Sequence, residues 1–239
     1  MILQTYAEAM NIVSKLSRTL PTFLVLLSLS ALSSAQEKKR IAYGMLLDNT
    51  GSMRTQFDRV KEIGKAVAQQ IHEHGPVSIF DFHSQGIPKE SRAVPILRLE
   101  QSQDPAVLEN CISNLYVEGG QTTLLDAIQF IAEGLGEKAG DPDFSDRVII
   151  LVTDGEERAS AATQKQLARK LKELKIRVYA IGLVQQLDSE GGFTRPSQRS
   201  KAVDLLKEIT KETGGQVVFP KSNRQDLQSL LAELAIPIQ

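Results

Sequence analysis

The sequence predicts an α/β fold in which a doubly wound, mostly parallel sheet is covered by helices on both faces. Short apolar runs of strand length alternate with segments whose apolar residues recur every three or four positions. This alternation is typical of βαβ units, whose parallel strands lie buried between two helical layers. One predicted strand contains Pro95, which cannot donate a ladder hydrogen bond. We therefore expect either a sheet edge or an irregular stretch there, and we predict that one edge strand of the sheet runs antiparallel.

Strand-like and helix-like segments follow one another along most of the chain. The predicted strands are 41–47, 77–82, 93–99, 147–153, 177–183 and 216–219. The predicted helices carry their apolar faces over 57–71, 105–115, 124–135, 167–174, 203–209 and 227–234. Asp104 before Pro105 is a typical helix start, and Gly214 is a typical helix end.

Composition indicates one ordinary globular domain. The chain has 239 residues, of which 41% are hydrophobic and 24% are charged, with a formal net charge of −1. This balance gives no electrostatic footprint for nucleic acid. The single cysteine, Cys111, excludes an intrachain disulfide and lies on an apolar helical face, which favours a buried structural thiol.

The first 35 residues have the composition of a secretory signal. Lys15 and Arg18 precede an apolar core at 23–32, and small residues follow at 33–35. This core is too short to span a bilayer comfortably. We predict a signal peptide over 1–35, starting at Met1 or Met10, and a single exported domain over 36–239 without a stable membrane span. The competing interpretation, a buried helix of the fold, is weakened by Pro21.

The first strand ends in a run of side-chain oxygens. Asp48, Thr50 and Ser52 stand at alternate positions, and Gly51 allows a tight turn. Alternate side chains of an extended segment point the same way, so three oxygens can converge on one point. Oxygen donors of this kind suit Mg²⁺. Taken alone, the run favours a polar turn that ends the strand.

Two later segments favour the metal interpretation. Thr122 lies between a glycine pair and a helix, and Asp154 ends an apolar strand just before a glycine. Ligands of open α/β sheets bind at the carboxyl ends of the strands. The sequence therefore predicts one Mg²⁺ or Mn²⁺ site formed by five residues, which are Asp48, Thr50, Ser52, Thr122 and Asp154.

The three motifs together resemble those of the von Willebrand factor A (VWA, integrin I-like) family and its metal-ion-dependent adhesion site. The family pattern is Asp-x-Ser-x-Ser, then a threonine, then Thr-Asp-Gly; Thr50 replaces a serine but keeps the hydroxyl. The resemblance runs from about Lys39 to about Pro220. It implies a bacterial exported protein that is a binding module, not an enzyme. The metal would take a carboxylate from a partner protein.

Two alternatives remain open from the residues alone. A haloacid-dehalogenase-like, Mg²⁺-dependent phosphotransferase would use Asp48 as its nucleophile, with Glu156 and Glu157 as further metal-binding acids. It would leave the glycine pair before Thr122 without a role, and Asn49 stands where such enzymes have a lysine. The other alternative is a structural domain without metal.

Two further residue sets have a competing interpretation. Asp126 lies in the first turn of a predicted helix, where a carboxylate is favoured by the helix dipole, and we expect that role rather than metal binding. The polar loop 185–198 follows a strand and should lie at the metal edge of the sheet. There Phe193 and Arg195 could contact a partner, or the loop could be a solvated insertion.

Overall fold

Six strands form one sheet. The computed structural model describes residues 40–84, 93–137, 144–188, 190, 196–222 and 225–237. The strands are β1 (Arg40–Leu47), β2 (Val77–Ser84), β3 (Ala93–Ser102), β4 (Phe144–Thr153), β5 (Ile176–Gly182) and β6 (Val217–Val218). Their order across the sheet is β3-β2-β1-β4-β5-β6.

The pairing of the strands confirms the predicted fold class. β1 runs parallel to β2 and β4, and β5 runs parallel to β4 and β6. Only β3, at the edge, is antiparallel to its neighbour, and its Pro95 lies opposite Phe82. Because the outer side of an edge strand has no ladder partner, a residue without an N–H is tolerated there.

Helices flank the sheet on both faces. In the described part of the chain they are α1 (Phe57–Ile71), α2 (Pro105–Ser113), α3 (Leu124–Gly136), α4 (Gln164–Glu173), α5 (Gln198–Thr213) and α6 (Leu227–Glu233). The predicted start of α2 is confirmed, since the Asp104 carboxylate accepts from the N–H groups of Ala106 and Val107. The predicted end of α5 is also confirmed, since Gly214 follows it with a left-handed φ of 74°.

The sheet separates two apolar cores. Tyr43 and Met45 of β1 face the core shared with α1, α2 and α6, against which half-buried Cys111 packs. Ala42 and Leu46 of the same strand face the core shared with α3, α4 and α5. β1 is buried on both faces, as its nearly continuous apolar sequence predicts.

Some strand limits differ from the predicted ones. β3 continues past residue 99 to Ser102, and β4 begins at Phe144 instead of residue 147. These additional residues are largely polar and partly exposed, so hydrophobic periodicity does not mark them. β6 is only two residues long, which is shorter than the predicted 216–219.

Several predictions concern residues outside the described ranges. The signal peptide over 1–35 and the side chains of Phe193 and Arg195 belong to this group. In the part of the chain that the structure describes, no helix combines the length and the apolar composition needed to cross a bilayer.

Candidate metal centre

The register of the central strands brings two carboxylates to the same edge of the sheet. Leu47 of β1 pairs with Val152 of β4, and the Asp48 N–H continues the ladder to the Val152 carbonyl at 3.0 Å. Asp48 therefore lies level with Thr153, one residue before Asp154. Both carboxylates are fully buried. Two acidic side chains thus occupy the crevice where the strand order switches direction.

The hydroxyl residues of the predicted site form a hydrogen-bonded chain that starts at Asp48. The Thr50 hydroxyl and N–H both donate to Asp48 Oδ1, at 2.7 and 3.0 Å. The hydroxyl oxygens of Thr50 and Ser52 are 3.2 Å apart. The Thr122 hydroxyl donates to the Thr50 hydroxyl oxygen, also at 3.2 Å. Four of the five predicted residues are therefore directly linked.

Asp154 is the fifth predicted residue, and one of its carboxylate oxygens accepts no hydrogen bond from the described residues. Its Oδ1 accepts from the Glu156 N–H at 2.9 Å, whereas its buried Oδ2 has no hydrogen-bond partner among the described residues. Burial and the nearby charge of Asp48 raise the pKa of Asp154 to about 7. The Glu156 N–H opposes this rise, as does the Ser52 hydroxyl, which lies near the carboxylate without forming a hydrogen bond to Oδ2. Burial also raises the pKa of Asp48, while hydrogen bonds from Thr153 and Thr50 lower it.

Thr153 belongs to this arrangement, although it is not among the five predicted ligands. Its hydroxyl donates to Asp48 Oδ2 at 2.6 Å and accepts from the Gly155 N–H at 3.0 Å. Both oxygens of Asp48 are thus held, which fixes the orientation of its carboxylate. Its sequence signal is its place in the Thr-Asp-Gly motif, and its contact with Asp48 depends on the strand register.

A glycine pair brings Thr122 to the site. Gly119 and Gly120 both have left-handed backbone conformations, with φ of 88° and 85°. Other residues rarely adopt such values, so the pair allows the tight turn that precedes α3. A Cβ placed on Gly51 would lie 3.9 Å from the Gly119 Cα, which shows how closely the two loops approach.

Two nearby acids hold the loop after β4 against the start of α3, and a third forms an ion pair within the loop. Glu157 accepts from the Leu125 N–H at 3.0 Å and from the Ser160 N–H at 2.8 Å. Asp126 accepts from the N–H groups of two residues in the same loop, at 2.8 and 2.9 Å. Glu156 pairs with Arg158. The carboxylate of Asp126 is therefore engaged at the start of its helix, as the sequence suggested, with loop N–H groups as its partners.

The donor set fits a hard divalent cation. It contains two carboxylates and three hydroxyl groups, and oxygen ligands are those that Mg²⁺ and Mn²⁺ prefer. No cluster of three or more His, Cys, Asp or Glu side chains suited to a metal is found within the described residues. A cation here would rely on hydroxyl groups as well as carboxylates.

The sequence matches the family model of the von Willebrand factor type A domain over residues 44–233. The chain belongs to this family. The resemblance seen in the motifs is thereby confirmed. VWA domains are generally interaction modules rather than enzymes, and they commonly bind a divalent metal. Sequence comparison with curated proteins gave no significant match.

Solved structures with the same fold include several bacterial proteins. An aerotolerance-related membrane protein from Bacteroides fragilis is 16% identical with a TM-score of 0.59, covering 81% of this VWA domain chain and 98% of that protein. BatB from Bacteroides thetaiotaomicron is 16% identical with a TM-score of 0.57, and the match covers 81% of this chain and 96% of that protein. The pilus adhesin SpaC from Lactobacillus rhamnosus GG is 15% identical with a TM-score of 0.58, and the match covers 83% of this chain and 30% of that protein. At such identities the similarity shows the fold alone, and none of the comparisons supports a dehalogenase-like phosphotransferase.

Proposed function

We propose that this VWA domain binds Mg²⁺ or Mn²⁺ through Asp48, Thr50, Ser52, Thr122 and Asp154. The bound ion keeps an open position, and a carboxylate from a partner protein occupies it. The chain then acts as an adhesion or protein-interaction module. Only two of the five proposed ligands carry negative charge, so the ion remains electrophilic enough to attract a third carboxylate.

The observation that carries this proposal is the unpaired Oδ2 of Asp154. Buried polar atoms are nearly always hydrogen-bonded, and a buried carboxylate oxygen without a partner is costly. It belongs to one of two buried carboxylates that repel each other. A divalent cation would supply both a partner for the oxygen and the charge that offsets the repulsion.

The surface of the site favours access by an external group. Asp48, Thr50 and Asp154 are buried, whereas Ser52 is partly exposed and Gly51 is exposed. An ion held by these residues is reachable from the side of Ser52. Water or a partner's carboxylate can approach there without unfolding the loop.

Partner binding can be tested by capture from the exported protein fraction of the source cells. Immobilised wild-type protein should retain a partner with Mn²⁺ and lose it with a chelator. Asp154→Asn, which keeps the size of the side chain, should retain none under either condition. Equal capture in Mn²⁺ and chelator would argue against metal-dependent recognition.

Metal affinity should depend on pH because Asp154 must lose a proton when the ion binds. With a pKa of about 7, Asp154 is mostly protonated at pH 6 and mostly ionised at pH 8. Simple competition predicts that Mn²⁺ binds about tenfold more weakly at pH 6 than at pH 8. Titration calorimetry at the two pH values measures this ratio, and a pH-independent dissociation constant would contradict the prediction.

The raised pKa of Asp154 also makes the stability of the metal-free protein depend on pH. The unfolded chain releases the Asp154 proton near pH 4, whereas the folded chain retains it until about pH 7. The folded state binds more protons in this window, so stability falls as pH rises from about 4 to 7. Asp154→Asn should remove this contribution to the pH dependence of the melting temperature.

Export is the second part of the proposal and depends on the leader-like composition of residues 1–35. We expect removal of this segment, which leaves the single domain over 36–239 in the periplasm or the medium. Mass spectrometry of the exported protein should find an N-terminus at or near Gln36. Recovery of the full-length chain from membranes would instead indicate an anchored protein.

A further inference from the structure

Asn49, the second residue of the loop that follows β1, is completely buried and is bound to several parts of the chain. Its amide nitrogen donates to Asp81 Oδ2 at 3.1 Å and to the Tyr116 carbonyl at 2.9 Å. Its amide oxygen accepts from the Phe82 N–H at 2.9 Å. Its backbone carbonyl accepts from the Glu118 N–H at 3.0 Å. The loop is thus attached to β2 and to the segment that precedes α3.

Asp81 extends these contacts to the edge strand. It is only 1% exposed, and its Oδ1 accepts from Arg98 Nε of β3 at 2.7 Å. Arg98 also contacts Glu118 at 3.3 Å. Since Glu118 donates its N–H to the Asn49 carbonyl, the contacts close into a ring. A buried carboxylate is stable only when it is paired and hydrogen-bonded, and this ring provides both conditions.

We infer that Asn49, Asp81 and Arg98 form a positioning network. This network holds the loop after β1, which carries three of the proposed ligands, in the conformation that binds the metal. The inference rests on the proposed function. None of the three side chains is a proposed ligand; Asn49 acts through its neighbours Asp48 and Thr50. The network also assigns a role to the antiparallel edge strand, which contributes Arg98 to the support of a site two strands away.

The chemistry of the ring specifies an amide at residue 49. Asparagine offers two N–H donors and one carbonyl acceptor, and all three are used here. Aspartate has the same size but would place a second carboxylate against Asp81, where the two repel. Leucine would leave the buried Phe82 N–H without its acceptor.

A reciprocal exchange tests the inference. Asn49→Asp and Asp81→Asn should each weaken Mn²⁺ binding about 10- to 100-fold, the usual cost of altering groups that support metal ligands. The double variant puts the carboxylate at 49 and the amide at 81, which restores a hydrogen bond between them. Because a carboxylate at 49 still faces the Tyr116 carbonyl, the double variant should recover only part of the lost affinity, as measured by titration calorimetry with MnCl₂.

Tyr43→Phe is the matched control. Tyr43 lies on β1, the strand that precedes Asn49. It is 1% exposed and donates a hydrogen bond to the Pro237 carbonyl at 2.8 Å. Its loss should lower stability but leave Mn²⁺ affinity unchanged. If Mn²⁺ affinity depended only on the stability of the fold, each variant would lose affinity in proportion to the decrease in its melting temperature. Tyr43→Phe would then bind Mn²⁺ more weakly as well.

A second readout needs no metal. With chelator present, amide hydrogen exchange at Thr50 and Glu118 should be faster in Asn49→Asp than in wild type, and unchanged in Tyr43→Phe. Single variants that bind Mn²⁺ normally, or a double variant that recovers nothing, would overturn the positioning role and leave the proposed function intact. A wild-type protein that binds no Mn²⁺ would overturn the proposed function, while the exchange rates still test whether the network orders the loop.

Discussion

Replacing Asp48 by asparagine is expected to reduce Mg²⁺ and Mn²⁺ affinity by more than about 100-fold. Altering groups that only support metal ligands costs about 10- to 100-fold, and loss of one of two anionic ligands should cost more. Asparagine keeps the size of the side chain and an oxygen that accepts from Thr50 or Thr153. The change therefore removes charge with little disturbance of the packing.

The same variant should not lower the stability of the metal-free protein, and it should raise its melting temperature. Asp48 and Asp154 are both buried, and the charge of Asp48 contributes to the raised pKa of Asp154. Removing one charge relieves this repulsion. Calorimetric titration and thermal melting in chelator measure the two effects.

Asp126→Asn is the matched control for this experiment. Asp126 is also an acid at the start of a helix near the site, but its carboxylate binds loop N–H groups. Metal affinity should remain close to that of wild type. Normal Mn²⁺ binding by Asp48→Asn, or loss of binding only in Asp126→Asn, would show that the site is misassigned.

The second large effect is a loss of stability when a single methyl group is added at Gly75. A Cβ added at Gly75 would lie 1.8 Å from the Ile41 carbonyl oxygen, which is backbone and has no rotamer to change. The Ile41 N–H is bonded to the His74 carbonyl at 3.0 Å, so the two segments cannot separate without losing ladder contacts. Gly75→Ala should therefore destabilise the fold by about 3 kcal/mol or more.

Gly134→Ala makes the same chemical change where there is space. Nothing lies within 4 Å of its added Cβ, and the residue is exposed inside α3. Alanine is favoured over glycine within a helix, so this variant should gain about 0.5–1 kcal/mol. Urea unfolding followed by circular dichroism compares the two variants, and similar shifts in their midpoints would refute the packing argument.

Much of the sheet and the candidate site could be predicted from local sequence. β1, β4 and β5 are buried on both faces, so their apolar runs are continuous and easily recognised. The carboxyl ends of parallel strands share one edge, and this rule alone places Asp48 and Asp154 together. Thr50 follows Asp48 in an extended conformation, whereas Ser52 lies in a short 3-10 turn over Gly51–Met53, so alternation alone does not place its hydroxyl.

The supporting contacts could not be predicted in the same way because they depend on register between distant strands. The contacts of Asp81 with Arg98 and Asn49 cannot be inferred from the segment that contains Asp81. Likewise, the phosphotransferase alternative makes Glu157 a metal-binding acid, but its carboxylate accepts from the Leu125 N–H at the start of α3 and from N–H groups of its own loop. Arg98, Asp81 and Asn49 become neighbours only after β3, β2 and β1 have assembled.

During synthesis, a nascent chain acquires Asp48 long before the residues that complete its surroundings. Thr153, which holds one oxygen of Asp48, lies 105 positions later, and Asp154 follows it. Contacts between such distant positions form late, because a long loop must first be closed. β2, β3 and the helices α1 to α3 are all made in the interval. A cation bound at the proposed site would therefore stabilise the sheet only after it has formed, and it would not nucleate folding.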